Sequence, residues 1–281
     1  MAVPFECKSR YTMEDLLRIM ELLRAPGGCP WDREQTHHSI RSNLLEETYE
    51  AIEAIDNQNM DDLKEELGDV LMQVVFHAQM EKEAGSFTFD DVVDGVCQKL
   101  VVRHPHVFGD VTASDSAQVL QNWDAIKRRT KGNKTQTDLL RSVPRALPAL
   151  MRAEKVQGRA RRVGFDWPEV SGAMQALRGE TEELQRAIDA KADDAVTEEL
   201  GDVLFSAVNV ARFMKVDPEE ALTQATDKFI RRFAVVERLA SERGMDLAAL
   251  SLDQLDALWD EAKRELAGDP PAQGSIADRA D

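Results

Sequence analysis

Apolar positions recur at helical spacing through most of the chain, and helix-stopping residues stand where the spacing fails. Thr12, with Asp15 three residues on, opens a segment that runs to about Arg24 and stops at Pro26-Gly27-Gly28. The stretch Gly28-Cys29-Pro30-Trp31-Asp32 reads as a loop. Beyond it Ile40, Leu44, Ala51 and Ile55 mark one face of a helix from about Ser39 to Ile55. A turn at Asn57-Gln58-Asn59 leads to a second helix, about Met60 to Glu83, ended by Gly85. Segments from about Phe89 to Arg103 and from Ser114 to Lys131 complete the first half.

The second half repeats the plan. A helix near Leu147 to Arg159 leads into the loop Val163 to Pro168, followed by long helices at about Glu169 to Ala190 and Asp193 to Met214. Asp217-Pro218 caps and opens the next, to about Arg243, and Ser251 with Gln254 caps a last one over Leu252 to Leu266. The segment Lys131 to Thr137 is polar and poor in core residues, and the tail from Gly268 has no apolar period. The expected organisation is a helical domain over 1–131, a linker over 132–145, a second helical domain over 146–267 and a disordered tail over 268–281.

Composition agrees with an all-α chain. Ala, Leu, Glu, Asp and Arg dominate, mostly good helix formers, and 43% of the 281 residues are hydrophobic, enough for a real core. The formal net charge of −17 repels polyanions, so neither nucleic acid nor an anionic membrane surface is an expected partner. Cys7, Cys29 and Cys97 are widely spaced with no CxxC, which suggests neither a disulfide framework nor zinc and fits a reducing cytoplasm. No signal region is evident, and the apolar runs are too short to span a bilayer.

Within the duplication, one chemical constellation repeats. Glu47, Glu50, Glu66 and Asp69 recur as Glu180, Glu183, Glu199 and Asp202 at one constant offset. Each set is two acid pairs three residues apart, which places both members of a pair on one helix face. An isolated charge run is normally a solvated face. Here, however, Glu66 and Asp69 sit among Leu67, Val70, Leu71 and Val74, and Glu199 and Asp202 among Leu200, Val203, Leu204 and Val208. Acids beside an apolar stripe need compensating positive charge. Oxygen-only donors favour Mg²⁺, with Mn²⁺ as a substitute, over zinc. Di-iron bundles use a Glu-x-x-His pair on two of their helices, and no such pair is expected in this chain.

Basic and aromatic residues repeat too. Lys99 and Arg103 match Lys228 and Arg232 in spacing, and Trp123-Asp124 with Lys127 matches Trp259-Asp260 with Lys263. Beside a carboxylate-held cation such bases would neutralise polyphosphate oxygens.

These motifs carry a resemblance to the MazG nucleoside triphosphate pyrophosphohydrolases. It rests on Gly28-Cys29-Pro30-Trp31-Asp32, Glu46-Glu47-x-x-Glu50, Glu66-Leu67-Gly68-Asp69 and Arg103 to Phe108 in the first half. In the second it rests on Arg162 to Pro168, Glu199-Leu200-Gly201-Asp202 and Lys228 to Phe233, so that it spans about residues 12 to 266. The resemblance implies tandem helical repeats that form four-helix bundles by homodimerisation. It also implies Mg²⁺-dependent hydrolysis of NTPs or dNTPs, ATP among them, to the monophosphate and pyrophosphate. By the same resemblance the metal ligands are Glu180, Glu183, Glu199 and Asp202 in one copy and Glu47, Glu50, Glu66 and Asp69 in the other. Lys228, Arg231 and Arg232, with Lys99 and Arg103, take phosphate, Trp259 contacts the nucleotide, and Glu46 is a general base. Gly179 stands where the second copy would have the counterpart of Glu46. The alternative is a nucleotide-sensing or interaction module that keeps the bundle without turnover.

Overall fold

A computed structural model describes residues 5–109, 119 and 135–267, and among them every regular element is helical. The helix expected over Ser114 to Lys131, with Trp123, and the tail from Gly268 lie outside the described residues. The chain divides into two compact units, with the boundary near residue 130.

In the first unit Thr12 and Asp15 form a capping box that starts α1 (Met13–Arg24). Asp15 accepts hydrogen bonds from the Thr12 N–H at 2.9 Å and from Lys8 Nζ at 2.5 Å. The segment read as a loop instead contains a short helix, α2 (Pro30–Glu34), with Pro30 at its first position. Proline is pre-set for that place, because its missing N–H would have had no partner there. Gly28 makes the approach possible, since a Cβ on it would run into the carbonyl oxygens of Leu22 and Leu23.

Next come α3 (Arg41–Asp56) and α4 (Met60–Ala84), packed as a hairpin. The Asn59 side chain accepts from the Asp61 and Asp62 N–H groups to start α4, and Gly85 ends it with φ at 74°. A Thr88–Asp91 capping box starts α5 (Phe89–Arg103), and one turn, α6 (Pro105–Phe108), follows.

Met20, Ile40, Val75, Phe76 and Met80 form the core of this unit. Arg24 ties its edge together. Its guanidinium donates to Glu83 at 2.8 Å and to the carbonyls of Asp32 at 2.6 Å and Gln35 at 3.3 Å.

The second unit begins inside the stretch read as linker. Thr135 and Asp138 form a capping box for α7 (Gln136–Arg141), and Val143 just beyond is buried. This segment packs on α8 (Ala149–Arg161), where Arg159 donates to the Leu139 carbonyl and the Ser142 hydroxyl. Composition hid the helix because its few apolar residues meet a neighbour that only the fold supplies. The long hairpin α9 (Val170–Asp189) and α10 (Asp193–Phe213) follows, then α11 (Pro218–Glu242) and α12 (Leu252–Leu266). Val236, Leu239, Ala240, Leu258 and Ala262 fill the seam of the last pair. Glu219, in the first turn of α11, accepts from the Leu150 and Met151 N–H groups and so serves the open end of α8.

Several helix faces keep apolar residues exposed, notably Leu200, Leu204 and Phe205 on α10 and Phe229, Ile230 and Phe233 on α11. Among the described residues no helix is long and apolar enough to cross a membrane.

Candidate functional site

The two hairpins do to the acids what their spacing demands. In α3 and α4 the carboxylate oxygens of Glu47, Glu66 and Asp69 come within 4.8 Å of one another, and in α9 and α10 those of Glu180, Glu199 and Asp202 do the same. Each group takes one acid from the first helix of a hairpin and an i, i+3 pair from the second.

The electrostatics are unfavourable as they stand. Burial, then the negative charges of Asp69, Glu50 and Glu66, push the Glu47 carboxyl above the ordinary range. For Glu66 the causes are burial, then Glu50 and Asp69. Glu199 is raised by burial, then by Glu183, Asp202 and Glu180. Among the described residues no Lys or Arg forms an ion pair with any of these six carboxylates. Like charges gathered on helices and left without a protein cation form a donor set suited to a metal ion, and an all-carboxylate set suits a hard one.

Other expected site residues fall in different places. Glu50 and Glu183 lie at the rim, exposed, and Glu183 pairs with Arg186 at 3.2 Å. Glu46 is exposed beside Glu47 and outside the converging three. Lys99 and Arg103 lie one turn apart on α5. On α11, Lys228 and Arg231 are exposed, whereas the Arg232 guanidinium lies over the Trp259 ring, 5.8 Å from its centroid. Phe229 meets the same indole at 5.0 Å, and Trp259 packs against the Leu258 core. The structure therefore joins Arg232 to Trp259. Among the described residues no hydrogen bond or ion pair joins Lys228, Arg231 or Arg232 to the carboxylates.

Two constellations escaped sequence reasoning. Glu34-Gln35-Thr36-His37 does have Glu-x-x-His spacing, but Glu34 is exposed at the end of α2 and His37 bonds His77 and Glu81 instead. In the second unit Arg212 donates to Asp166 at 2.5 and 3.0 Å, and both side chains are nearly buried. The available signal was Asn209 and Arg212 interrupting an apolar run on α10, a sign of buried polar partners.

Fold and site thus define an all-helical protein with duplicated carboxylate centres of metal-binding geometry. The MazG nucleotide pyrophosphohydrolase domain matches residues 35–108 and again 169–236, so each match contains one acid group. The nucleoside triphosphate pyrophosphohydrolase/pyrophosphatase MazG of Thermotoga maritima is 47% identical over 250 residues, covering 89% of this chain and 95% of that protein. The nucleoside triphosphate pyrophosphohydrolase of Escherichia coli K12 is 44% identical over 256 residues, 90% of this chain and 97% of that protein. An uncharacterised Bacillus subtilis protein, YabN, is 49% identical over 87% of this chain but only 50% of its own length. The chain belongs to the MazG nucleotide pyrophosphohydrolase family.

Proposed function

We propose that this protein is a Mg²⁺-dependent nucleoside triphosphate pyrophosphohydrolase that cleaves between the α- and β-phosphates, releasing the monophosphate and pyrophosphate. The observation that carries this reading is the double convergence of three carboxylates within 4.8 Å, one in each family-matching segment. Glu180, Glu199 and Asp202 would hold the metal in the second copy and Glu47, Glu66 and Asp69 in the first, with Glu183 and Glu50 as rim ligands. Bound Mg²⁺ supplies positive charge opposite the phosphates and Lewis acidity toward water. Lys228, Arg231 and Arg232 offset the charge that develops on the leaving pyrophosphate. Trp259 holds Arg232 from beneath, a positioning role that its half-buried place supports better than stacking on a base. Glu46 takes the proton of the attacking water in the first copy, a group the second lacks at Gly179.

The working unit is a homodimer. A helix hairpin with apolar faces on both sides needs a second hairpin to complete a four-helix bundle. Exposed Leu200, Leu204, Phe229 and Ile230 are the residues such a partner would cover. Housekeeping of the nucleotide pool in the cytoplasm is the role we assign.

Incubation with a mixed NTP pool and Mg²⁺, with products resolved by anion exchange, tests the chemistry. Monophosphate and pyrophosphate are expected, and activity is expected to vanish in EDTA. Release of diphosphate and orthophosphate would overturn the bond assignment, and binding without turnover would favour a sensing module.

A further inference from the structure

Away from the carboxylate centres, one side-chain cluster of the first unit has metal-binding chemistry of another kind. His37 stands between α2 and α3, shortly before buried Ile40, and faces His77 and Glu81 on α4. His77 and Glu81 are one turn apart on one helix face. His77 follows Asp69 by two turns and more, which sets it roughly 12 Å along α4 from the first-copy acids.

Hydrogen bonding fixes the state of each ring. Ser86, then His37, holds the Glu81 carboxyl below the ordinary range, so Glu81 only accepts. His37 Nε2, 2.6 Å from it, therefore carries a proton. That leaves the Nδ1 atoms of His37 and His77 facing each other across 2.7 Å with one proton between them. Burial, then the charge of His37, disfavours protonation of His77 and keeps its ring an acceptor. Two imidazole nitrogens aimed at one point, one of them backed through its other nitrogen by a carboxylate, form the donor arrangement of a histidine metal centre. Tetrahedral Zn²⁺, with Zn–N bonds of about 2.0–2.1 Å, holds its nitrogens about 3.3 Å apart, so the gap must open by roughly 0.6 Å. The His37 side chain is 45% exposed and has room to withdraw by that much. Gln73, one turn before His77 on the same face, is 5% exposed, and its Oε1 has no hydrogen-bond partner among the described residues. It is an acceptor for a water that such an ion carries.

We propose that His37 and His77 bind one borderline transition-metal ion, of the Zn²⁺ class, through their Nδ1 atoms, with Glu81 as the positioning residue for His37. The ion takes the place of the shared proton, which passes to solvent. Neutral imidazoles favour such an ion over Mg²⁺, so the site discriminates against the hard cation that suits the carboxylate centres. Bound there, the ion staples the segment that brings Ile40 into the core onto α4.

Calorimetric titration of Zn²⁺ into the full chain, in millimolar Mg²⁺, tests it. One Zn²⁺ per chain should bind with a Kd that rises tenfold or more in His37→Ala and in His77→Gln, and about tenfold in Glu81→Ala. His38→Ala, a change at the exposed neighbour, and the double change Glu66→Gln with Glu199→Gln in the carboxylate centres should keep the wild-type Kd. Zn²⁺ should also raise the melting temperature of the wild type and leave that of His37→Ala unmoved. His37 is exposed, so its loss puts folding at little risk and keeps the test decisive if His77→Gln fails to fold. Equal Zn²⁺ affinity in the wild type and His37→Ala would overturn the proposal, as would binding that only the carboxylate double change removes.

Discussion

His37 Nδ1 lies 2.7 Å from His77 Nδ1, with the ring planes 8° apart and the centroids separated by 5.0 Å. With nitrogens in contact and centroids so far apart, the rings meet edge to edge and share one proton. His37 Nε2 continues the chain to Glu81 at 2.6 Å. A second proton between the two Nδ1 atoms would set N–H against N–H. Burial, then the charge of His37, holds His77 below its ordinary pKa of 6.5. The segment that bears His37 is thereby latched to α4 beside the Arg24–Glu83 pair.

Stability should fall on mild acidification. A histidine whose folded pKa is depressed adds no penalty above its unfolded pKa, and destabilises progressively as pH falls from there to the folded value. Urea midpoints are expected to drop between pH 7 and pH 5, and His77→Gln should flatten that slope. An unchanged slope in the variant would place the acid sensitivity elsewhere.

Replacing Glu199 or Asp202 by its amide removes a proposed ligand while leaving packing nearly unchanged, and a loss of roughly a hundredfold or more in kcat is expected. The amides at Glu66 and Asp69 should cost much less for common NTPs. In EDTA the Glu199→Gln protein should melt at a higher temperature than wild type, because Glu183, Asp202 and Glu180 no longer repel a charge there. Equal melting temperatures would argue that the acids do not strain the metal-free fold.

Gly179 lies within α9 with open space around its missing Cβ, so a glutamate fits there. Gly179→Glu should stabilise the helix by up to about 1 kcal/mol through propensity alone. If an acid at this place acts as a general base, kcat rises as well, read under saturating NTP. A gain in stability with kcat unchanged would remove that role from this position.

Asp166 and Arg212 form a nearly buried pair, and Arg212→Leu leaves Asp166 only the more distant Arg161, 3.7 Å away, so a cost of about 3 kcal/mol is expected in chemical denaturation. The double change Asp166→Asn with Arg212→Leu should recover part of it. Additive losses would mean the two side chains do not act as a pair.

Light scattering should give about twice the 31.5 kDa chain mass, and Phe229→Asp with Ile230→Asp on the exposed face of α11 should shift it toward the monomer. A monomer mass in the unaltered protein would count against the dimer.

The sequence by itself determined the longer helices among the described residues and their ends, because caps are local chemistry. Thr12 with Asp15, Gly85, Asp217 and Ser251 with Gln254 act within a few residues and do so in the structure as their spacing predicts. It also determined which acids belong together, since i, i+3 spacing and duplication are properties of the string. Two things escaped it. The short helices at Pro30–Glu34 and Gln136–Arg141 depend on Arg24 and Arg159 reaching in from other elements. Within each acid set, only the hairpin geometry decided that Glu47 and Glu180 join the converging group while Glu50 and Glu183 stay at the rim. His37 beside His77, and Asn209 with Arg212 and Asp166, are pairings across 40 or more residues for His37 and Asp166. A linear pattern does not encode such meetings, because they are fixed by the way one packed helix turns its face to another.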